Sequence, residues 1–206
     1  LDAGATLVDT AEMYGSGRSE ELVAEAIAGR RDEVFLVSKV LPENASLRGT
    51  AAACERSLRR LETDRLDLYL LHWRGGEAFE DTLEALVALQ KAGKIRHFGV
   101  SNLDLADMQE WWPIAGGAAT ATNQLLYNLS RRGIEFDLLP WLRARKVPVM
   151  AYSPLEQARL FSHAGLRAFC ARHGMTPAQA SLAWLLAKDD VIVIPKSGHP
   201  ARMAEN

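Results

Sequence analysis

Two short apolar runs, Val34-Phe-Leu-Val-Ser-Lys39 and Asp67-Leu-Tyr-Leu-Leu-His72, decide the fold of this 206-residue chain. Between them lies a helical pattern in which Cys54, Leu58 and Leu61 recur on one face. Both runs are continuously apolar rather than alternating, which is typical of strands that are covered on both faces. The stretch therefore predicts two parallel strands joined by a helix.

The same strand-and-helix unit recurs along the whole sequence. Apolar runs that predict strands begin at Thr6, Val34, Asp67, Ile95, Ala121, Val147 and Val191. A doubly wound open sheet rarely holds seven strands in a chain this short, and its Gly-x-Gly-x-x-Gly loop is missing from the sequence. We therefore predict an α/β fold, a (β/α)8 TIM barrel, with residues 1–206 as a single domain. The chain is expected to lack the first strand and helix and the C-terminal helices, so that the barrel is incomplete at both ends.

Local signals predict where some helices begin and end. Ser19 is suited to cap a helix, and Thr176 followed by Pro177 places a cap and a first-turn proline in the favoured order. Residues 2–4 are predicted to be the end of a helix. These signals fix individual boundaries within the strand-and-helix pattern.

The composition excludes several classes of protein. Lys and Arg number 24 and Asp and Glu 26, so a net charge of −2 provides no basic surface for nucleic acid or an anionic membrane. No apolar run approaches the roughly 18 residues that would cross a bilayer. The two cysteines, Cys54 and Cys170, lie far apart in helical patterns, which predicts reduced core thiols and a cytoplasmic protein. The five histidines lack metal-ligand spacing, so no metal site is predicted.

Polar side chains stand at or just beyond the end of every predicted strand. They are Asp9, Lys39, His72, Ser101-Asn102, Asn123-Gln124, Tyr152-Ser153 and Lys196-Ser197. In a parallel barrel the carboxyl ends of all strands open onto one face, which holds the active site. Solvation alone rarely places an acid, a lysine and a histidine on three consecutive strands, so we predict an active site on this face.

Seven motifs resemble those of the aldo-keto reductase family, and they occur in the family's order. The motifs are Asp9-Thr-Ala-Glu-Met-Tyr14-Gly15, Ser38-Lys39, Leu70-Leu-His72-Trp73, Gly99-Val-Ser101-Asn102, Asn123-Gln124, Tyr152-Ser-Pro-Leu155 and Ile194-Pro-Lys196-Ser197 followed by Arg202, Glu205 and Asn206. The resemblance covers the whole chain. In particular, the chain resembles bacterial reductases of small aldehydes, of the methylglyoxal type. It implies a hydride transfer from NADPH to the carbonyl of a small aldehyde or ketone.

The resemblance places the family's catalytic residues on Asp9, Tyr14, Lys39 and His72. Tyr14 would be the general acid; a phenol ordinarily titrates at about 10, and a neighbouring cation, here Lys39, makes it a stronger acid. Asp9 would pair with Lys39, because a lysine at the barrel mouth is costly without a partner. His72 would hydrogen-bond the substrate carbonyl and orient it. Trp73 is expected to line the substrate pocket.

The resemblance also implies which residues bind the cofactor. The nicotinamide carboxamide would be hydrogen-bonded by side chains after the fourth and fifth strands, and an aromatic ring would stack on the nicotinamide. Two cations and a hydroxyl would hold a 2′-phosphate, which favours NADPH over NADH. The cofactor-binding residues expected in this way are Ser101, Asn102, Gln124, Tyr152, Ser153, Pro154, Leu155, Lys196, Ser197, Arg202, Glu205 and Asn206.

Other interpretations remain open from the sequence. Lys39 could instead form a Schiff base with its substrate, as in aldolases, without any nicotinamide. A non-catalytic NADPH-binding or structural barrel is a second alternative, although all four catalytic positions are filled. Taken singly, Ser101 and Asn102 could be helix caps and His72 a core histidine. The expected partner is a small carbonyl substrate, with no nucleic acid and no membrane, and the expected state is a monomer or a weak homo-oligomer.

Overall fold

A computed structural model describes residues 1–2 and 4–206, and within them each predicted strand is followed by helix, with two α-helices in succession between the last two strands. The strands are β1 (Leu7–Asp9), β2 (Phe35–Val40), β3 (Leu66–Leu71), β4 (Ile95–Ser101), β5 (Asn123–Leu126), β6 (Val149–Tyr152) and β7 (Val191–Val193). The α-helices are α1 (Arg18–Ile27), α2 (Leu47–Arg60), α3 (Phe79–Lys91), α4 (Leu105–Trp111), α5 (Leu138–Ala144), α6 (Ala164–His173), α7 (Pro177–Leu186) and α8 (Pro200–Glu205). The helix end predicted for residues 2–4 includes Ala3, which lies outside the described residues.

Residues Leu1–Asn123 form one compact unit. In this unit β1, β2, β3 and β4 pair in parallel and in chain order, so that Lys39 lies beside Leu70 and Leu70 beside Gly99. Strand β3 is buried along its whole length, as its continuous apolar run predicts. Parallel pairing brings the carboxyl ends of the four strands to the same edge. The polar residues that the sequence analysis singled out at the strand ends of this unit lie at that edge; they are Asp9, Lys39, His72, Ser101 and Asn102.

The core of the first unit lies between this sheet and the helices. Ala53, Cys54 and Leu58 on α2 and Leu83 and Leu86 on α3 are buried. Full burial of a leucine side chain contributes about 2 kcal/mol to the free energy of unfolding, so the packing of the apolar faces of α2 and α3 stabilises this unit.

The start of α1 differs from the sequence prediction. The helix begins at Arg18 after Gly17, and Ser19 is inside it, where its hydroxyl accepts a hydrogen bond from the Thr10 hydroxyl at 3.0 Å. Gly17 has a φ of 97°, and a Cβ on it would lie 2.6 Å from Nε of Arg60. A glycine is therefore favoured here by its backbone conformation, and a Cβ would in addition displace the Arg60 side chain.

Residues Gln124–Asn206 form the second compact unit. Its strands β6 and β7 pair in parallel, with Val149 beside Val191. Helix α7 begins as the sequence predicts: the Thr176 hydroxyl accepts from the Gln179 backbone N–H at 3.2 Å, and the Gln179 side chain accepts from the Thr176 N–H at 3.0 Å. This reciprocal capping, with Pro177 in the first turn, fixes the point at which the helix starts.

Both cysteines lie in helices, as predicted. Cys54 on α2 and Cys170 on α6 are buried and free. Among the described residues, none of the helices combines the length and the apolar character that crossing a bilayer would take.

Candidate active site

Three of the four predicted catalytic side chains come from neighbouring strands of the first unit. Asp9 is the last residue of β1, Lys39 is the last but one of β2, and His72 directly follows β3. Tyr14 lies in the short turn after β1. Because β1, β2 and β3 are parallel neighbours, their ends bring these side chains together at one edge.

Lys39 and Asp9 form a close ion pair in this edge. Nζ of Lys39 lies 2.6 Å from Oδ2 of Asp9 and also donates to the backbone carbonyl of Thr10 at 2.8 Å. The Lys39 side chain has no exposed surface, and the Asp9 side chain is 13% exposed. Burial lowers the pKa of Lys39, whereas the Asp9 carboxylate acts in the opposite direction and favours the charged form. The ammonium is thus held, fully buried, by a carboxylate and a carbonyl oxygen.

Tyr14 and His72 lie beside this pair. Nζ of Lys39 is 5.0 Å from the centroid of the Tyr14 ring, within the range of a cation–π contact. The Tyr14 and His72 rings meet edge to face, with centroids 5.8 Å apart. Tyr14 is partly exposed, so its phenol is accessible to a molecule in solution, unlike the Lys39 ammonium below it. The four side chains named by the sequence therefore do converge on one place.

The His72 imidazole is neutral over the physiological pH range. Burial lowers the pKa of His72 to about 4, and the positive charge of Lys39 acts in the same direction. The residue is 8% exposed, and its Nδ1 has no hydrogen-bond partner among the described residues. The His72 backbone carbonyl accepts from the Asn102 amide at 3.1 Å, which ties the end of β3 to the residue after β4. A neutral imidazole in this position can donate one hydrogen bond without carrying charge.

We expect replacement of His72 with Gln to weaken the dependence of stability on pH. The unfolded chain takes up the proton at about pH 6.5 and the folded chain only near pH 4, so stability falls as the pH drops through this interval, by up to about 3 kcal/mol. Denaturant unfolding at about pH 7 and about pH 4.5 should show a smaller fall for His72→Gln than for wild type. The exposed His97 gives a matched control, since His97→Gln should behave as wild type. An equal fall in stability for wild type, His72→Gln and His97→Gln would contradict the conclusion that the His72 imidazole is neutral in the folded protein.

Ser101 and Asn102 follow β4 at the same edge. Ser101 is buried, and the Asn102 side-chain amide donates to the Ser101 hydroxyl at 3.1 Å. Asn102 has a φ of 57°, a backbone conformation that asparagine tolerates better than most residues. The cap of α4 is Asp104, which accepts from the Asp107 N–H at 2.9 Å, so the interpretation of Ser101 and Asn102 as helix caps is wrong.

Trp73 is stacked next to the catalytic candidates. Its ring lies 4.7 Å, centroid to centroid, from the His72 imidazole and is tilted by 55° to it. His72 thus contacts two other aromatic rings, and each of the three rings carries a polar N–H or O–H group.

The second unit holds the remaining predicted cofactor residues. Gln124 on β5 is buried, and its amide contacts the sulfur of Met150 at 2.8 Å. Tyr152 is the last residue of β6, and burial raises its pKa. Pro154 is buried in the turn that follows, between half-exposed neighbours.

A cavity of about 500 Å³ in the second unit gathers most of the other cofactor candidates. The sequence-predicted residues that line it are Leu155, Lys196, Ser197, Arg202, Glu205 and Asn206. Two cations and a hydroxyl thus share a cavity of the size that small-molecule sites have. Sequence reasoning did not assign the rest of the lining to a site; these residues are Gln157, Ala158, Phe161, Thr176, Pro177, Ala178, Gly198 and His199. Only Thr176-Pro177 gave a signal, as a helix start.

Within residues 1–2 and 4–206, the acidic, histidine and cysteine side chains form no cluster that could hold a metal ion. Lys39 is an unsuitable Schiff-base nucleophile in this setting. Its amine has no exposed surface and is bound to Asp9 at 2.6 Å, whereas imine formation needs an amine that a substrate carbon can reach.

Comparison with known proteins identifies similar chains over the full length. The sequence model that describes the aldo/keto reductase family matches residues 1–206. The chain is 52% identical to the methylglyoxal reductase YeaE of Escherichia coli, covering 100% of this chain and 74% of the relative. It is 34% identical to the glyoxal reductase of Bacillus subtilis, with 98% and 72% covered. The crystal structure of an aldo/keto reductase from Klebsiella pneumoniae in complex with NADP and acetate superposes with a TM-score of 0.97 at 50% identity, covering 100% and 74%. The predicted α/β fold of the TIM-barrel type is confirmed.

Proposed function

The chain belongs to the aldo/keto reductase family and is an NADP-dependent reductase of carbonyl compounds, and we propose that Asp9, Tyr14, Lys39 and His72 carry its chemistry. The observation that carries the proposal is the convergence of these four side chains, with the Lys39 ammonium 2.6 Å from Asp9 and 5.0 Å from the Tyr14 ring centre. An acid, a buried cation and a neutral imidazole around one accessible phenol are what proton donation to a carbonyl needs.

Tyr14 donates the proton. When bound, NADPH supplies the hydride that adds to the carbonyl carbon of the substrate. The proton moves from the Tyr14 hydroxyl to the carbonyl oxygen, so that the product is an alcohol and a phenolate remains on Tyr14. The Lys39 ammonium stabilises this phenolate, and Asp9 keeps Lys39 charged and in place. The neutral imidazole of His72 donates a hydrogen bond to the carbonyl oxygen and fixes its direction toward Tyr14.

The chemistry of the cavity in the second unit fits the phosphate end of NADPH. Lys196, Ser197 and Arg202 line it, and two cations with a hydroxyl suit a 2′-phosphate dianion. Glu205 and Asn206, on the same cavity, would meet the adenine. The nicotinamide carboxamide would be bound by Ser101, Asn102 and Gln124, with Tyr152 stacked on the ring and residues 153–155 beside it.

The proposed substrate is a small aldehyde with a second carbonyl, as in methylglyoxal. Two relatives named for reducing methylglyoxal and glyoxal support this choice, and Trp73, whose ring contacts His72, would line the substrate pocket. The protein would act as one barrel domain, as a monomer or a weak homo-oligomer. It would have no nucleic-acid partner, given its net charge of −2, and would reside in the cytoplasm, given its two buried free cysteines.

Oxidation of NADPH in the presence of a panel of carbonyl compounds tests the function. Small oxoaldehydes are expected to give the highest kcat/KM, with aryl aldehydes, sugars and keto acids as the comparison set. A protein that binds NADPH but reduces none of them would be a binding protein rather than an enzyme. Trapping of a substrate on Lys39 by borohydride would instead support Schiff-base chemistry.

Replacement of Arg202 with Ala is expected to weaken the binding of NADPH far more than that of NADH. Loss of one charge-assisted hydrogen bond to the 2′-phosphate corresponds to roughly 10- to 100-fold in Kd, and NADH lacks that phosphate. Fluorescence titration with both nucleotides measures the difference. Arg172→Ala, an exposed arginine on α6 outside the cavity, is the matched control and should leave both Kd values unchanged. Equal weakening of NADPH and NADH would show that Arg202 does not bind the 2′-phosphate.

A further inference from the structure

The segment after β6 is held in a backbone conformation that its residues disfavour. Ser153, Glu156, Gln157 and Ala158 have φ values of 48°, 46°, 52° and 66°, and none of them is glycine. Left-handed backbone is unfavourable for residues with a Cβ and persists only where the surroundings enforce it. Residues 153–158 must therefore be held in place by contacts from outside the segment.

These contacts come from Asn128, which is buried, and from Arg131, whose side chain is about half exposed. Together with Glu156 of the segment, which both of them bind, we call these residues the Asn128 cluster. Nδ2 of Asn128 donates to Oε2 of Glu156 at 2.7 Å and to the Ser153 carbonyl at 3.0 Å. Nε of Arg131 donates to the other carboxylate oxygen of Glu156 at 3.1 Å. Asn128 is fully buried and Glu156 is 8% exposed, so one buried amide group binds two of the four residues with left-handed backbone, Ser153 and Glu156.

Asn128 is itself rigidly placed. Its Oδ1 accepts from the backbone N–H groups of Ser130 and Arg131, both at 3.0 Å. The backbones of Asn128 and Arg131 also exchange hydrogen bonds, of 3.3 and 3.1 Å, which close a tight turn. Every polar atom of the Asn128 amide is thus used, with the acceptor fixing its own turn and the donors fixing residues 153–158.

The segment held by the Asn128 cluster forms the wall of two cavities. Leu155, Gln157 and Ala158 line the cavity of about 500 Å³ that contains Lys196 and Arg202. Ser153, Glu156 and Gln157 line a second cavity of about 250 Å³, together with Tyr152 and Arg131. A change in the backbone of this segment would therefore reshape both cavities at once.

We propose that Asn128 is a positioning residue for cofactor binding, which acts by holding residues 153–158 in the conformation that walls both cavities. The inference rests on the proposed function, because it requires the NADP cofactor to occupy these cavities. Asn128 does not touch the cofactor in this role. It sets the affinity for the cofactor through the backbone between Ser153 and Ala158.

Replacement of Asn128 with Asp tests the proposal with a nearly isosteric change. The acceptor that fixes the turn is kept, whereas the donor that faces Glu156 and the Ser153 carbonyl becomes a carboxylate oxygen that repels both. The Kd for NADPH is expected to rise by roughly 10-fold or more. The value of kcat at saturating NADPH should change little, because Asn128 is not among the four proposed catalytic residues.

Two further variants separate positioning from general destabilisation. Asn44 on the first unit also donates its amide to a buried carboxylate, Oε1 of Glu12, at 2.9 Å, and lines neither cavity. Asn44→Asp should therefore lower stability without changing the Kd for NADPH. Adding Ala158→Gly to Asn128→Asp should restore part of the affinity, because glycine adopts a φ of 66° without penalty.

The results distinguish the inference from the proposed function. If Arg202→Ala weakens NADPH but Asn128→Asp does not, the positioning role is wrong and the cofactor site stands. If neither variant changes the Kd, the cofactor lies elsewhere and both proposals fail. Equal effects of Asn44→Asp and Asn128→Asp, without rescue by Ala158→Gly, would also overturn the inference. Should Asn128→Asp fail to fold, Asn128→Ser, which removes both hydrogen bonds donated by Nδ2 without adding a charge, must still weaken the binding of NADPH, and a wild-type Kd would refute the role.

Discussion

Replacement of Tyr14 with Phe is expected to lower the turnover of carbonyl reduction by roughly 10²–10⁴-fold, the usual contribution of a general acid. The change removes only the hydroxyl. The phenyl ring can keep the contact with the Lys39 ammonium, 5.0 Å from the ring centre, and the edge-to-face contact with His72. The Kd for NADPH should therefore stay close to the wild-type value, so that the loss appears in kcat alone. Steady-state kinetics and fluorescence titration measure the two quantities separately.

Tyr127 supplies the matched control for this prediction. It is a buried tyrosine of the second unit whose hydroxyl bonds Glu135, and it lines neither cavity. Tyr127→Phe loses a hydroxyl and a hydrogen bond as well, so it should lower stability while turnover stays near wild type. If Tyr14→Phe also keeps the wild-type turnover, Tyr14 is not the acid, and another group must protonate the carbonyl oxygen.

The fold follows from the sequence because strand burial and helix capping are local signals. Each predicted strand overlaps an observed one, since a continuous apolar run is what a strand covered on both faces requires. The Thr176-Pro177 start of α7 is confirmed for the same reason, as both partners of its capping box lie within four residues. The cap at Ser19 is wrong because helical backbone already begins at Arg18, directly after the left-handed Gly17.

The convergence of the proposed catalytic residues at one edge could be predicted from the sequence, and the walls of the cavities could not. Parallel strands end at a common edge, so polar residues after consecutive apolar runs are bound to meet, as Asp9, Lys39 and His72 do. Asn128 and Glu156 are 28 residues apart and belong to no periodic pattern. Their contact depends on left-handed backbone at residues other than glycine, which no local preference favours. Sequence patterns predict which polar residues lie at the ends of strands. Polar contacts between distant residues, such as that of Asn128 with Glu156, are found only in the structure.

Replacement of Lys39 with Met is expected to lower both stability and turnover. The Asp9 carboxylate, only 13% exposed, would lose the ammonium 2.6 Å away, and an unpaired buried partner of this kind typically costs about 3–5 kcal/mol in the free energy of unfolding. Turnover should fall by roughly 10²–10⁴-fold, as for Tyr14→Phe, because the phenolate that proton donation leaves behind loses its stabilising cation. The matched control is Lys94→Met, which breaks a pair with Glu55 at 3.1 Å in which both side chains are well exposed. Such surface pairs contribute about 0–1 kcal/mol, so that variant should be near wild type in both measurements.

The double variant Asp9→Asn with Lys39→Met separates the two roles of Lys39. Removing both charges leaves no unpaired carboxylate, so most of the lost stability should return, since replacing a whole buried pair is often nearly neutral. Turnover should not return, because neither asparagine nor methionine places a positive charge beside the Tyr14 ring. Denaturant unfolding and steady-state kinetics on the wild type, the single variant and the double variant give the comparison. If turnover recovers together with stability, Lys39 serves only the fold, and the proton donated by Tyr14 needs no neighbouring cation.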